Sequence, residues 1–213
     1  MVTVRRIRSL PGAVERAIVE VEGKGRFLVS RGLAAELEVG MALDDRLLRR
    51  LASEDLLHRA LQVALRLLRI RLYSRAEMTL HLKRRGFPPQ IVTNVIRMLE
   101  QQGVLNDLQF AKTWITGVMA RRPAWQKRLE AELRAKGVVK EVIAQALDEA
   151  LSGTTEVEVA REVALRRLRA YHRFPPEVQQ RRLISFLQRR GFTPETATSV
   201  VRELVREEGS RES

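Results

Sequence analysis

The feature that most constrains this fold is a motif that occurs three times: a leucine, three mostly basic residues, a glycine and a bulky apolar residue. The glycines are residues 86, 137 and 191, so they lie 51 and 54 residues apart. Regular spacing of this kind is typical of tandem structural repeats. The three copies read LKRRGF at 82–87, LRAKGV at 133–138 and LQRRGF at 187–192.

After each glycine, apolar residues follow at the same four positions: 6, 9, 10 and 13 residues further on. This is the i, i+3, i+4, i+7 spacing of an amphipathic helix. The pattern therefore predicts one helix after each glycine, in the same register in all three copies. Its residues are Val92, Val95, Ile96 and Leu99, then Ile143, Ala146, Leu147 and Ala150, and then Ala197, Val200, Val201 and Leu204.

Two interpretations of the motif compete: a basic loop that grips phosphate, or the end of a helix. A glycine in the left-handed conformation just past a helix brings the residue four positions before it against the residue after it. Those pairs are apolar in every copy, and Lys or Arg in the last turn suits the negative end of the helix dipole. Thr193 and Pro194 read as the N-cap and first residue of the next helix. The motif is therefore predicted to be a helix ending first. The expected contacts are Leu82 with Phe87, Leu133 with Val138 and Leu187 with Phe192.

Each motif lies between a short helix and a longer one, and a further amphipathic helix precedes both. Because about 50 residues bury little apolar surface, neighbouring units are expected to pack side by side. The predicted fold is mainly α, with three tandem three-helix repeats in an elongated, curved array after a small N-terminal β-element. The predicted segments are a β-hairpin-like element at 1–45 with a short helix at 32–39, a connecting helix or linker at 46–54, repeats at 55–105, 106–155 and 156–208, and a frayed tail at 209–213.

Charge and composition indicate the kind of partner. The net charge is +13, and such an excess attracts polyanions, namely nucleic acid or an acidic protein surface. The sequence has no cysteine and no apolar run near the roughly 18 residues that a membrane span needs. These features favour a cytoplasmic protein with no membrane association.

No pattern of catalytic residues is found in the sequence. The three histidines are scattered and lack the spacing of a metal site, and no nucleophile or cofactor fingerprint is present. The glycines at 23 and 25 are expected to form a turn between strands. The sequence therefore predicts a protein without enzymatic activity, cofactor or metal, which acts through a surface.

The basic residues of the three middle helices are the candidates for that surface. Stacked helices of this kind are expected to form a discontinuous positive stripe that meets a repeating anionic partner through several weak contacts. The candidate residues are Arg75, Lys83, Arg84, Arg85, Arg121, Arg122, Lys127, Arg128, Arg134, Lys136, Arg181, Arg182, Arg189 and Arg190.

Three stretches, in this order and spacing, carry a resemblance to a known family. They are YSRAEM at 73–78 leading to LKRRGF, then GVLND at 103–107 with Phe110 and Ala111, and then Leu129 with Glu132, Leu133 and KGV at 136–138. Over residues 55–204 the chain resembles the RecX family, the regulatory proteins of the RecA recombinase. The N-terminal β-like segment resembles an extension that only some members have.

The resemblance implies a nonenzymatic modulator that acts as a monomer. Such a protein lies along the groove of a RecA filament on single- or double-stranded DNA and limits ATP hydrolysis, strand exchange and filament growth. Two alternatives stay open. One is an autonomous, sequence-nonspecific DNA-binding protein built from helix-turn-helix-like units. The other is a helical scaffold for an acidic protein.

Overall fold

A computed structural model describes residues 2–10 and 13–209, which fold into four strands and ten helices. The chain divides into two units, Met1–Leu105 and Asn106–Ser213. The strands are β1 Val2–Leu10, β2 Ala13–Val21, β3 Gly25–Ser30 and β4 Ala42–Leu43. The helices are α1 Arg31–Ala35, α2 Asp45–Leu68, α3 Arg75–Arg84, α4 Pro89–Gln101, α5 Asp107–Arg121, α6 Gln126–Ala135, α7 Lys140–Leu151, α8 Glu156–Leu168, α9 Pro176–Arg189 and α10 Pro194–Gly209.

The first unit begins with a four-stranded antiparallel sheet in the order β3-β2-β1-β4. Alternate residues of β2 face the core, where Ala17, Val19 and Val21 are buried. They pack in one cluster with Leu33 of α1 and Leu51 of α2. The prediction of a mainly helical chain that follows a small N-terminal β-element is confirmed.

Two predictions for the N-terminal region were wrong in detail. The short helix predicted at 32–39 starts at Arg31 and ends at Ala35. Beyond it, the chain turns so that residues 40 and 41 bond to β1 instead of continuing the helix. The Gly40 N–H donates to the Val4 carbonyl at 2.8 Å, and the Val4 N–H donates to the Met41 carbonyl at 3.0 Å. These bonds lead into β4, a strand that the sequence pattern did not predict. The leading helix was predicted from residue 55, after a connecting helix or linker at 46–54. Both segments belong to one helix that starts at Asp45, so the predicted division at 54/55 falls inside α2.

Helix α2 also protects the exposed edge of the sheet. The N–H groups of β3 that point away from β2 donate to two carboxylates of α2: Leu28 to Asp55 at 3.0 Å and Ser30 to Glu54 at 2.6 Å. An open edge strand offers unpaired backbone groups to other chains, and side-chain acceptors remove that hazard. The sheet is thereby fixed to the first helix of the first repeat.

The predicted helix endings are confirmed in all three copies. Gly86, Gly137 and Gly191 have φ of +81°, +76° and +90°. In each copy the glycine N–H donates to the carbonyl three residues back at 2.9 Å. The following N–H donates to the leucine carbonyl, at 3.4 Å for Phe87, 3.2 Å for Val138 and 3.3 Å for Phe192. This pair of bonds defines the Schellman motif, which satisfies the last carbonyls of the helix.

The second unit contains the second and third repeats around one shared core. Leu129 and Leu133 of α6 and Leu183 and Leu187 of α9 are fully buried in a single cluster. Gly191 lies at the junction of the repeats. A Cβ atom added at this position would stand 2.6 Å from the backbone nitrogen of Arg128. A Cβ atom added at Gly86 would have no neighbouring atom within 4 Å.

A pair of glycine substitutions tests this difference between the two endings. Gly86→Ala should cost about 1–2 kcal/mol for the left-handed backbone alone. Gly191→Ala should cost roughly 1–3 kcal/mol more, because the new methyl group also overlaps the backbone of α6. Urea unfolding followed by circular dichroism and by tryptophan fluorescence measures both. Equal losses of stability would contradict the close packing at the junction.

A second prediction concerns the sheet edge. Asp55→Ala should lower the free energy of unfolding by about 1–3 kcal/mol, because the partly buried Leu28 N–H then lacks an acceptor. Asp55→Asn retains an acceptor oxygen and should recover most of that loss. Amide hydrogen exchange at Leu28 reports the bond directly. Unchanged exchange in the alanine variant would show that the carboxylate does not hold the edge.

Candidate anion-binding surfaces

The middle helix of the first repeat, α3, carries its candidate cations at its two ends. Lys83 and Arg84 lie in the last turn and Arg85 is the C-cap, and all three are exposed. Arg75 begins the helix and pairs with Glu100 of α4, with 3.2 Å between Nη1 and Oε1. A ten-residue helix is about 15 Å long, so Arg75 lies apart from the other three.

The three cations at the end of α3 differ in how they are held. The Arg85 guanidinium bonds back to the His81 carbonyl oxygen at 3.4 Å. Lys83 and Arg84 have no acidic partner within residues 2–10 and 13–209. The Schellman ending already satisfies the backbone carbonyls there. These two side chains are therefore available to an external anion.

In the second repeat, one glutamate neutralises two candidate arginines. Glu132 of α6 lies between Arg122 and Arg128, which approach its carboxylate oxygens at 2.9 and 2.8 Å. Its side chain is 14% exposed, so this carboxylate is well shielded from water. Arg134, further along α6, pairs with Glu130. Arg122, Arg128 and Arg134 are therefore exposed cations with an internal counterion.

Other candidates are held against aromatic rings or backbone. The Lys136 ammonium lies 3.9 Å from the ring centroid of Trp114, a distance typical of a cation–π contact. Arg182 lies over the Phe174 ring, also at 3.9 Å. Arg121 donates from Nε to the carbonyl of the preceding turn. These groups stabilise the fold besides adding positive charge.

Arg190 has a structural role that its sequence position did not reveal. It is only partly exposed, its guanidinium donates to the Pro123 carbonyl at 3.1 Å, and its backbone carbonyl accepts from the Trp125 N–H at 2.9 Å. Burial lowers the pKa of Arg190, and the neighbouring cations Arg122, Arg128 and Arg167 lower it further. Arg190 therefore joins the second repeat to the third at an electrostatic cost.

The remaining candidates of the second unit are Lys127, Arg181 and Arg189. All three are exposed, and none has an acidic partner among the residues that the structure describes. The structure thus divides the fourteen predicted residues into cations that are held internally and five that are not. Those five are Lys83, Arg84, Lys127, Arg181 and Arg189.

Three residues near these cations were missed by the sequence analysis: Glu132, Arg167 and Phe186. The four-residue spacing of Arg128 and Glu132 on α6 could have indicated their pairing. The contact of Arg122 with Glu132 crosses a turn, and Arg167 meets Phe186 from another helix, at 5.4 Å from the ring centroid. Such contacts depend on tertiary packing and leave no periodic signal in the sequence.

Within residues 2–10 and 13–209, none of the helices combines the length and the apolar character needed to cross a bilayer. The fold defines a class of protein, built from three tandem three-helix domains that carry exposed cations on their middle helices. Family models match each domain in order. They are the RecX first three-helix domain at residues 60–99, the second at 106–147 and the third at 154–201.

Similar proteins agree with these matches. The chain is 37% identical over 158 residues to the regulatory protein RecX of Thermobifida fusca, which covers 74% of this chain and 85% of that relative. It is 33% identical over 152 residues to the regulatory protein RecX of Chlorobaculum tepidum, covering 71% and 92%. The chain belongs to the RecX family.

Two crystal structures share the fold. One, of a regulatory protein RecX, matches with a TM-score of 0.74 at 21% identity, covering 97% of this chain and all of that one. The other, RecX from Lactobacillus salivarius, matches with a TM-score of 0.61 at 20% identity, covering 70% and 97%. The family relatives are named regulatory proteins.

The neighbours Arg189 and Arg190 provide a test of the division into free and held cations. Arg190→Ala should lower the stability of the second unit by about 1–2 kcal/mol, because the Pro123 carbonyl loses its donor. Arg189→Ala should change stability by less than about 0.5 kcal/mol, as expected for an exposed side chain. Tryptophan fluorescence reports this unit, which contains Trp114 and Trp125. Two equally stable variants would contradict the structural role of Arg190.

Proposed function

We propose that this protein regulates the RecA recombinase in the cytoplasm by binding as a monomer to the RecA–DNA filament, and that it inhibits filament growth, ATP hydrolysis and strand exchange. It acts by binding alone and needs no cofactor. Membership of the RecX family is the observation that carries this proposal. The partner itself is inferred from the family resemblance.

The distribution of charge supports a polymeric anionic partner. Counting only contacts among the described residues, each of the two units carries cations without acidic partners. They lie at the end of α3 in the first unit and on α6 and α9 in the second. Exposed single contacts of this kind are individually weak. Several contacts within one chain raise the overall affinity, because binding of one unit raises the effective concentration of the other. A filament offers the repeated anionic groups that such binding requires.

An autonomous DNA-binding protein remains the second candidate, and one observation favours it. The exposed face of α4, the third helix of the first repeat, carries Gln90, Arg97 and Gln101. Amide and guanidinium groups are those that read base edges in the major groove. A salt titration separates the candidates, since binding through phosphates alone weakens steeply between 50 and 200 mM salt. Tight binding to naked duplex that persists at about 0.2 M salt would favour the second candidate.

The proposal is tested by the ATPase activity of a bacterial RecA on single-stranded DNA. Substoichiometric wild-type protein should slow ATP hydrolysis, because one bound molecule limits growth of a whole filament. Lys83→Ala/Arg84→Ala should require a several-fold higher concentration for the same effect. The matched control, Arg46→Ala/Arg49→Ala, removes two exposed cations from α2 and should act like wild type. An unchanged rate with an equimolar excess of wild-type protein would contradict the proposed function.

A further inference from the structure

A cavity of about 230 Å³ lies at the junction of the second and third repeats, inside the second unit. The turn between α5 and α6 and the beginning of α6 form one wall, and the last turn of α9 forms the other. Four of its lining residues are arginines, and a cleft lined by one sign of charge focuses the electrostatic field. The charged and aromatic lining residues are Arg122, Arg128, Glu132, Phe186, Arg189 and Arg190.

The cavity carries a positive excess. Its four guanidinium groups face one carboxylate, that of Glu132, which bonds to Arg122 and Arg128. Arg190 is bonded to a neutral carbonyl, and Arg189 has no acidic partner among the described residues. Like charges at close range repel, and water screens this repulsion least at Arg190, which is only partly exposed. Contacts within the fold account for Arg122, Arg128 and Arg190. No such contact within the described part of the chain explains why Arg189 stands beside them, whereas binding of an anion does.

The walls of the cavity are rigidly connected. The Trp125 N–H donates to the Arg190 carbonyl at 2.9 Å, and the rings of Trp125 and Phe192 stack with 6.2 Å between centroids. Gly191 lets the backbones of the two repeats approach so closely that no side chain fits between them. The two backbone segments that carry the arginines are thus held together before any ligand arrives, which lowers part of the entropic cost of binding.

We propose that this arginine pocket, lined by Arg122, Arg128, Arg189 and Arg190, binds a backbone phosphate of single-stranded DNA, and that Glu132 is its built-in competitor. The inference rests on the proposed function and names the group that the second unit contacts in the filament. Guanidinium forks match the geometry of phosphate oxygens and bind them bidentately. On binding, the phosphate takes the place that the Glu132 carboxylate holds against Arg122 and Arg128.

An aromatic ring favours nucleic acid over an acidic protein as the ligand. Phe186 lines the pocket, with the guanidinium groups of Arg190 and Arg167 at 5.1 and 5.4 Å from its centroid. The Phe186 ring is half-buried. Cations beside an aromatic ring are typical of sites that hold single strands, where phosphate and base are both contacted.

Because Glu132 competes with the phosphate, substitutions at Arg189 and at Glu132 are expected to change the affinity for DNA in opposite directions. Binding of a fluorescein-labelled dT15 oligonucleotide to the full-length protein is followed by fluorescence anisotropy over a salt series. Arg189→Ala should weaken binding about tenfold and reduce the slope of log K against log salt by about 1, the loss of one phosphate contact. Glu132→Gln should tighten binding about threefold, because it removes the competing charge and keeps the side-chain shape.

Two further variants serve as controls. Arg169→Ala removes one exposed cation from the end of α8, outside the pocket, and should change the affinity less than about twofold. Arg189→Lys keeps the charge but loses the fork, and should lie between Arg189→Ala and wild type. The urea midpoint by tryptophan fluorescence identifies any variant that is merely unstable.

The outcomes separate this inference from the proposed function. The proposed phosphate site would be overturned if Arg189→Ala and Arg169→Ala weakened DNA binding equally, or if Glu132→Gln did not tighten it. Neither result would affect inhibition of the RecA ATPase by the wild-type protein. The inference also fails if Arg189→Ala changes binding to ATP or to a polyglutamate peptide but not to dT15. Failure of wild type to affect RecA at all would instead remove the proposed function.

Discussion

The left-handed glycine at the end of each middle helix is the constraint on which the rest of the structure depends. It turns the chain, brings a leucine of the middle helix against the next apolar residue, and sets the direction of the third helix. The backbone carbonyls of the last turn are satisfied within the motif. The basic side chains of that turn are therefore not needed to cap the helix. The same glycine-terminated last turn therefore both ends the helix and leaves most of its basic side chains exposed to solvent.

The helical framework could be predicted from sequence because its signals are local and periodic. The stripe after each glycine and the apolar pair that flanks each glycine report short-range geometry, and all appear in the structure. The sequence allowed a connecting helix at 46–54 but did not show that it joins the leading helix of the first repeat without a break. The early end of α1 was missed for another reason: the hydrogen bonds of Val4 with residues 40 and 41 join segments far apart in sequence.

The candidate surface was predictable only as a set of charges. Sequence identifies every arginine, but it does not show which have partners. Arg190 bonds to a carbonyl 67 positions away, and Glu132 reaches Arg122 across a turn. Both contacts exist only after the second and third repeats have folded. The net charge of +13 therefore overstates the cations that are free to bind, and it gives no indication of the pocket where four arginines meet.

The central claim is that the basic middle helices carry the contact with an anionic filament. Hydrogen–deuterium exchange of the protein, alone and on RecA-coated single-stranded DNA, tests it most directly. The account predicts slower exchange at the ends of α3 and α9 and at the beginning of α6, with the N-terminal sheet unchanged. Protection confined to the exposed faces of α4 and α10, or to the sheet, would contradict it.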